Sequence, residues 1–390
     1  MIVESTLRRT WAEINFNHLI HNFNTLQSYI GKDCKFLGVV KADAYGHGAL
    51  QVGKTLEKLG AAYLAVSSLD EAIELRRGGI SMPILIFGHT PPEMVEQLIA
   101  NNITQTVSAR AKAEEYHRAA ARCGGKLRVH IKVDTGMSRL GFLVRGEHFA
   151  GGVEAIAQAC ALPNLEPEGI YTHFATADMD GEENLAYTKE QFSCFLQVLE
   201  ALEKKGRTFA LRHCANSGAT LRYREMHLDM VRPGIALYGA GEDAPALGLQ
   251  PVMALKSVVS TIKVFDTDTS ISYGRTFRTE GKTRIGVLPV GYADGLFRAF
   301  SNGMAVQTEW GPAPVRGRIC MDMTMVDLSA LPKVEVGDTV EIFGDRQSAD
   351  SLAALIGTIP YELFCAVSKR VPRYYLLEDK IVDYDLRLRG

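Results

Sequence analysis

Short, largely apolar strand-like runs punctuate the chain at residues 36–40, 63–66, 83–87, 103–107, 127–133, 168–173, 209–213 and 228–231. Runs of this kind, bounded by glycine or polar residues, suit strands covered on both faces. Between them lie stretches with helical spacing of apolar positions, as at 69–77, 91–101, 109–122 and 182–205. A further short strand is predicted at 10–14, and Asn17 is placed to cap a helix reaching Tyr29. Strands alternating with helices imply a parallel sheet. About eight such units in about 230 residues predict an α/β fold of the (β/α)8 TIM-barrel type. An open doubly wound sheet is the alternative, but no G-x-G-x-x-G stands at the first βα turn.

The pattern changes after Gly241. Residues 242–250 are rich in Ala, Pro and Gly and read as a linker. Beyond them β-type segments dominate, at 252–265, 283–289, 314–319, 323–328 and 339–342, with turn signals at Glu280-Gly281, Gly337-Asp338 and Gly344-Asp345. A short helix is expected at 350–356. The sequence thus predicts a barrel over residues 1–241 and a mostly β C-terminal domain over 242–390.

Composition narrows the function classes. The 390 residues are 46% hydrophobic, enough for two cores. A net charge of −2 gives no basic surplus to hold nucleic acid. Seven cysteines with no C-x-x-C pair argue against a disulfide framework and a zinc ribbon, and fit a reducing cytoplasm. The N-terminus carries Glu4, Arg8 and Arg9 without an apolar stretch, so no signal peptide is expected. No run approaches the ~18 apolar residues of a membrane helix. The ten histidines are scattered, so no metal site is expected.

Barrels carry their chemistry at the C-terminal ends of the strands. Those ends are polar here: the first run gives Lys41 and Tyr45, the fifth Lys132, Asp134 and Arg139, and the sixth His173. Asn216 and Ser217 follow the seventh, and Arg232 with Gly234 the eighth. A lysine beside a buried strand loses its proton more easily and can then form a Schiff base with a carbonyl. The plain alternative is a surface lysine that merely follows a strand. Asn216 and Ser217 could open a helix whose N–H groups face a phosphate, with Gly234 and Ile235 adding donors. Equally, Ser217 could be an ordinary helix cap. A Schiff-base lysine plus a phosphate cradle suggests pyridoxal phosphate.

A set of motifs in one order carries a family likeness: VVKADAYGHG at 39–48, KVDTGMSRLG at 132–141, THFA at 172–175, ANS at 215–217 and VRPGI at 231–235, then ISYG at 271–274, GYADG at 291–295, CMD at 320–322 and YE at 361–362. Through them the chain resembles the alanine racemase family, pyridoxal-phosphate enzymes of the barrel-plus-β-domain type. The resemblance implies an isomerase that interconverts L- and D-alanine with two bases and supplies D-alanine for peptidoglycan. It implies that Lys41 carries the cofactor and serves the D-substrate, while Tyr273, contributed across a homodimer with shared active sites, serves the L-substrate. His173 and Arg232 match residues hydrogen-bonded toward that tyrosine, and Arg232 also faces the pyridine nitrogen. Arg139 matches an arginine contacting the cofactor's phenolic oxygen and the substrate carboxylate, and Lys132 matches a lysine that is commonly carbamylated. Tyr45, Ser217, Gly234, Ile235 and Tyr361 match phosphate contacts, and Asn216 a residue near them. Met321 matches a backbone donor to the substrate carboxylate. Tyr292 and Tyr361 match tyrosines that narrow the entrance. A serine or broader-specificity racemase of the same fold is the alternative; a non-catalytic cofactor carrier and a metal-dependent hydrolase are less consistent with the motifs.

Overall fold

The computed structural model describes residues 9–386, so the expectation resting on Glu4 and Arg8 lies outside the described residues. The chain divides into two compact units. One comprises residues 23–44 and 49–237; the other comprises, among the described residues, 9–22, 45–48 and 238–386.

The first described strand, β1 (Thr10–Asn15), belongs to the second unit. It pairs antiparallel with Met253–Val258 and parallel with Arg373–Leu377. The following helix, Phe16–Ile30, starts two residues earlier than expected: Asn15, not Asn17, supplies the side-chain acceptor, taking the N–H groups of Asn17 and His18.

The first unit is a parallel barrel. Its strands are β2 (Lys35–Val39), β3 (Tyr63–Val66), β4 (Ile84–Ile86), β5 (Ile103–Val107), β6 (Leu127–Asp134), β7 (Leu165–Tyr171), β8 (Leu211–His213) and β9 (Met230–Val231). Each from β2 to β7 pairs in parallel with the next, and β9 pairs with β2. At the remaining seam, Asp229 N–H donates to the Arg212 carbonyl and Arg232 N–H to that of Ala215, which brings β8 and β9 together. The expected barrel is therefore present. The inner strands are fully buried, as at Tyr63–Val66 and Ile84–Ile86, which explains their unbroken apolar runs.

One helix matters for the site. Leu69–Arg77 starts with a reciprocal cap: the Ser68 side chain accepts from Glu71 N–H, and Glu71 accepts from Ser68 N–H. The same Glu71 carboxylate also accepts from Ala42 N–H at 2.7 Å, so it holds the turn that follows β2.

The second unit is built on a seven-stranded sheet in the order Gly311–Pro314, Ala305–Thr308, Thr339–Phe343, Met253–Val258, Thr10–Asn15, Arg373–Leu377 and Lys380–Asp385. A three-stranded antiparallel sheet joins Thr261–Phe265, Thr283–Leu288 and Thr324–Asp327. The expected helix at 350–356 is Ala349–Leu355, capped by Ser348. The segment expected as a linker holds a short 3-10 turn, Pro245–Leu247.

Candidate active site

Lys41 follows the end of β2 and is half-buried. The backbone beyond it turns left-handed at Ala42, Asp43, Ala44 and Tyr45, with φ of 51°, 57°, 54° and 52°. No glycine relieves this, and each non-glycine residue there costs about 1–2 kcal/mol. The turn is held by Ala44 N–H to the Val40 carbonyl, Ala42 N–H to Glu71, and Ala49 N–H to the Asp43 carboxylate. The local sequence gives no sign of this strain, because neither Ala nor Asp marks such a conformation strongly.

The other strand ends gather positive charge. On β6 the alternation of a strand places His130, Lys132 and Asp134 on one face, and all three are buried. Lys132 Nζ lies 4.6 Å from the ring centre of Tyr171. Its ammonium is held well below the usual lysine range, first by burial and then by the Arg232 and Arg139 cations. Arg139 itself is exposed. Asp134 spends one carboxylate oxygen on the N–H groups of Gly136 and Ser138, so it shapes the loop that carries Arg139.

Arg232 is buried at the start of the loop after β9. Burial lowers its guanidinium to about 10, still cationic at neutral pH. It donates to the carbonyls of Thr172 and Cys214, to His213 Nδ1 at 2.9 Å and to His173 Nδ1 at 3.3 Å. A guanidinium offers only donors, so both Nδ1 atoms accept. His213 therefore carries its proton on Nε2, which donates to His130 Nδ1 at 2.9 Å. His130 then carries its proton on Nε2, 3.8 Å from a Glu168 oxygen that also accepts from the Tyr63 hydroxyl. By the same logic the His173 proton is on Nε2. Gly169 makes room for this chain, since a Cβ there would lie 2.6 Å from the His130 ring.

Sequence reasoning missed His130 and His213. The available signal was their position: His130 stands two residues before Lys132 on the inward face of β6, and polar residues on that face have no solvent to turn to.

Both are kept neutral. Burial lowers His130, and burial followed by the Arg232 cation lowers His213 well below the ordinary imidazole range. In the unfolded chain each would take a proton near pH 6.5, so stability is full above that pH and falls as the pH drops below it. Each histidine contributes a slope of up to about 1.4 kcal/mol per pH unit. Thermal unfolding between about pH 8 and 5.5 is expected to show the midpoint falling below about pH 6.5; a flat midpoint would rule out the neutral buried pair.

After β8, the helix Ser217–Arg222 is capped by Asn216, whose side chain accepts from Ala219 N–H at 3.0 Å. The cap is thus Asn216 rather than Ser217. The Ser217 hydroxyl oxygen accepts from Gly234 N–H at 2.9 Å and Ala236 N–H at 3.3 Å, which leaves its own proton to donate. The Gly234 N–H is therefore occupied by Ser217, while Ile235 opens the 3-10 turn Ile235–Tyr238.

The remaining predicted residues lie in the second unit. The rings of Tyr45 and Tyr361 meet edge-on at 5.3 Å. Burial raises the Tyr45 phenol well above its ordinary value, with Tyr361 and Cys365 adding to it. Tyr273 sits at the tip of the hairpin formed by Ser270–Ile271 and Phe277–Arg278 and is 70% exposed. Ser272 before it has φ 65° and ψ −176°, a region that is nearly glycine-only. Its hydroxyl donates to the Arg318 carbonyl at 2.5 Å and so holds the strained tip. Gly274 has φ 70°, and a Cβ there would lie 2.8 Å from Arg318 Nη1. Tyr273, Met321 and Met323 are exposed and, with Ser272 and Cys320, line a pocket of about 440 Å³. Tyr292 is also exposed.

Comparison with known proteins agrees with this architecture. The alanine racemase N-terminal domain profile matches residues 14–242, and the C-terminal domain profile matches residues 252–375. The chain belongs to the alanine racemase family. It is 42% identical over 384 residues to alanine racemase 2 of Caldanaerobacter subterraneus subsp. tengcongensis, covering 97% of both chains. It is 43% identical over 385 residues to the alanine racemase of Clostridium tetani, covering 96% of this chain and 97% of that one. The solved alanine racemase of Clostridium difficile superposes with a TM-score of 0.90 at 40% identity, covering 96% and 97% of the two chains. Among the described residues, no helix is long and apolar enough to cross a membrane, and no cluster of His, Cys, Asp or Glu could hold a metal.

Proposed function

We propose that this family member is a cytoplasmic pyridoxal-phosphate enzyme that interconverts L- and D-alanine and feeds peptidoglycan synthesis. Membership of the family, over nearly the whole chain, is the observation that carries this reading. In it, residues 1–241 form the cofactor-binding region, and residues 242–390 supply Tyr273 to the partner subunit of a homodimer.

The donor set suits an anionic cofactor. The Arg139 and Arg232 cations both oppose a charge on Lys132, and the Asp134 carboxylate favours one. A phosphate and a substrate carboxylate would satisfy these cations. When bound, the cofactor supplies an electron-accepting ring that acidifies the substrate Cα–H. Lys41 would hold it covalently. Ser217, whose hydroxyl proton is uncommitted to Gly234 or Ala236, would bind phosphate together with Ile235, Asn216, Tyr45 and Tyr361, and the Gly234 N–H would join them on release from the Ser217 oxygen. Arg232, a donor only, would leave the ring nitrogen it faces without a proton.

Racemisation needs a proton removed from one face of Cα and returned to the other. Lys41 takes the D-side and Tyr273 of the partner subunit the L-side. An isolated phenol with a pKa of about 10 is a weak base near neutrality, and His173, its proton on Nε2 and Arg232 behind it, would stabilise the phenolate by donating a hydrogen bond to it. Arg139 and the Met321 N–H bind the carboxylate, and Tyr292 and Tyr361 limit the side chain to a small one. The exposed apolar group at Tyr273, Met321 and Met323 supports the homodimer, because patches of this kind mark interaction surfaces.

Lys132 is proposed to be carbamylated. Its neutral amine would add to carbon dioxide, forming an N–C bond and releasing one proton, and the new carboxylate would oppose the Arg139 charge. Labelled bicarbonate is expected to give a carbamate carbon resonance that is absent from Lys132→Ala. A resonance unchanged in that variant would place the modification elsewhere.

The central test is an L-to-D conversion assay across small amino acids, with and without added cofactor. Alanine is expected to have the highest kcat/KM; a preference for serine would overturn the substrate assignment.

A further inference from the structure

Two loops of the second unit carry Tyr292 and Met321, and their mutual anchoring has a clear hierarchy. Tyr292 N–H donates to the Cys320 carbonyl at 3.0 Å, and Ala293 N–H to the Met321 carbonyl at 3.0 Å. Gly291 allows this approach: a Cβ there would lie 2.3 Å from the Cys320 carbonyl oxygen. A peptide group is planar and trans, so the Cys320 C=O and the Met321 N–H lie in one plane and point opposite ways. Holding the Cys320 carbonyl against Tyr292 therefore aims the Met321 N–H away from the Tyr292 loop. Among the described residues nothing accepts that N–H.

The loop that does the holding is itself locked. The Asp294 side chain is fully buried. It accepts from Gly291 N–H at 3.0 Å, from Arg370 Nε at 2.8 Å and from Arg9 Nη1 at 3.2 Å. Its carbonyl accepts from Ser368 N–H. Arg370 reaches on to the Asp322 carboxylate at 2.7 Å. One guanidinium thus joins the residue three after Gly291 to the residue directly after Met321. A buried carboxylate with one charged partner removed is costly, so the pair acts as a unit.

We propose that Asp294 and Arg370 are positioning residues for substrate recognition: they fix the plane of the Cys320–Met321 peptide so that its N–H meets the substrate carboxylate in the partner subunit's site. This rests on the alanine racemase reading. Neither side chain takes part in proton transfer. Removing a contact made equally in ground and transition states raises KM and spares kcat.

The test is steady-state kinetics of the cofactor-loaded dimer for Arg370→Ala, Arg370→Lys and Asp322→Asn. Asp322 is half-exposed, so its neutralisation breaks the outer arm without leaving a buried charge alone. Arg370→Ala is expected to raise KM for both alanine enantiomers about tenfold, with kcat changed less than about threefold and the cofactor absorbance band unmoved. Asp322→Asn and Arg370→Lys are expected to fall between it and the parent. If Arg370→Ala does not fold, Asp322→Asn alone decides. KM within twofold of the parent, or a loss confined to kcat, overturns the proposal. A parent protein that does not racemise alanine would instead overturn the functional reading beneath it.

Discussion

Lys41→Ala is expected to abolish alanine racemisation and α-proton exchange from both enantiomers, by about 10³-fold or more, since one residue would lose both its covalent and its base role. The half-buried lysine follows β2 directly, and the left-handed turn from Ala42 to Tyr45 fixes the chain beyond it. Four strained residues in succession are held by Glu71, Asp43 and the Val40 carbonyl, so the surroundings over-determine a conformation the residues disfavour. The cofactor absorbance of the variant should change with its activity. Residual exchange near the parent rate, from either enantiomer, would remove Lys41 from the mechanism.

Tyr273→Phe is expected to produce an asymmetry visible only in proton exchange. Net racemisation must fall equally in both directions, because enantiomers are equal in free energy and the equilibrium constant cannot move. Exchange of the α-proton with solvent has no such constraint. With the L-side base removed, exchange from L-alanine should fall by about 10²–10⁴-fold, while exchange from D-alanine, served by Lys41, persists. Equal losses would mean that the faces are assigned wrongly. The hairpin tip supports a demanding position for this residue: Ser272 is held in a glycine-like conformation by its bond to the Arg318 carbonyl. Phenylalanine removes one hydroxyl and leaves that anchoring intact.

The barrel could be read along the chain because its signals are local. Most strands are short, largely apolar runs, helical spacing separates many of them, and the polar residue at a strand end stands next to its strand in sequence. The same locality put Lys132, Asp134, His173 and Arg232 on one list, and the structure brings Lys132, His173 and Arg232 into mutual electrostatic reach. Local reading did less well where a side chain had two possible employers. Asn216 and Ser217 are adjacent, and only the fold shows that Asn216 caps the helix while Ser217 accepts from Gly234, a residue on the next strand's loop.

Other features depended on pairings that no window of sequence contains. β1 lies beside the barrel segments in the chain, yet its edges match Met253–Val258 and Arg373–Leu377, hundreds of residues away. The tautomers of His130 and His213 follow from one guanidinium on β9's loop, because Arg232 can only donate. The link from Asp294 through Arg370 to Asp322 joins three loops. Hydrophobic period and strand-end chemistry are written in neighbouring residues, and they determine that this chain holds a barrel with a lysine just past the C-terminal end of one strand. Proton location, backbone strain and loop anchoring arise when distant groups are desolvated together, so they exist only once the chain has closed on itself.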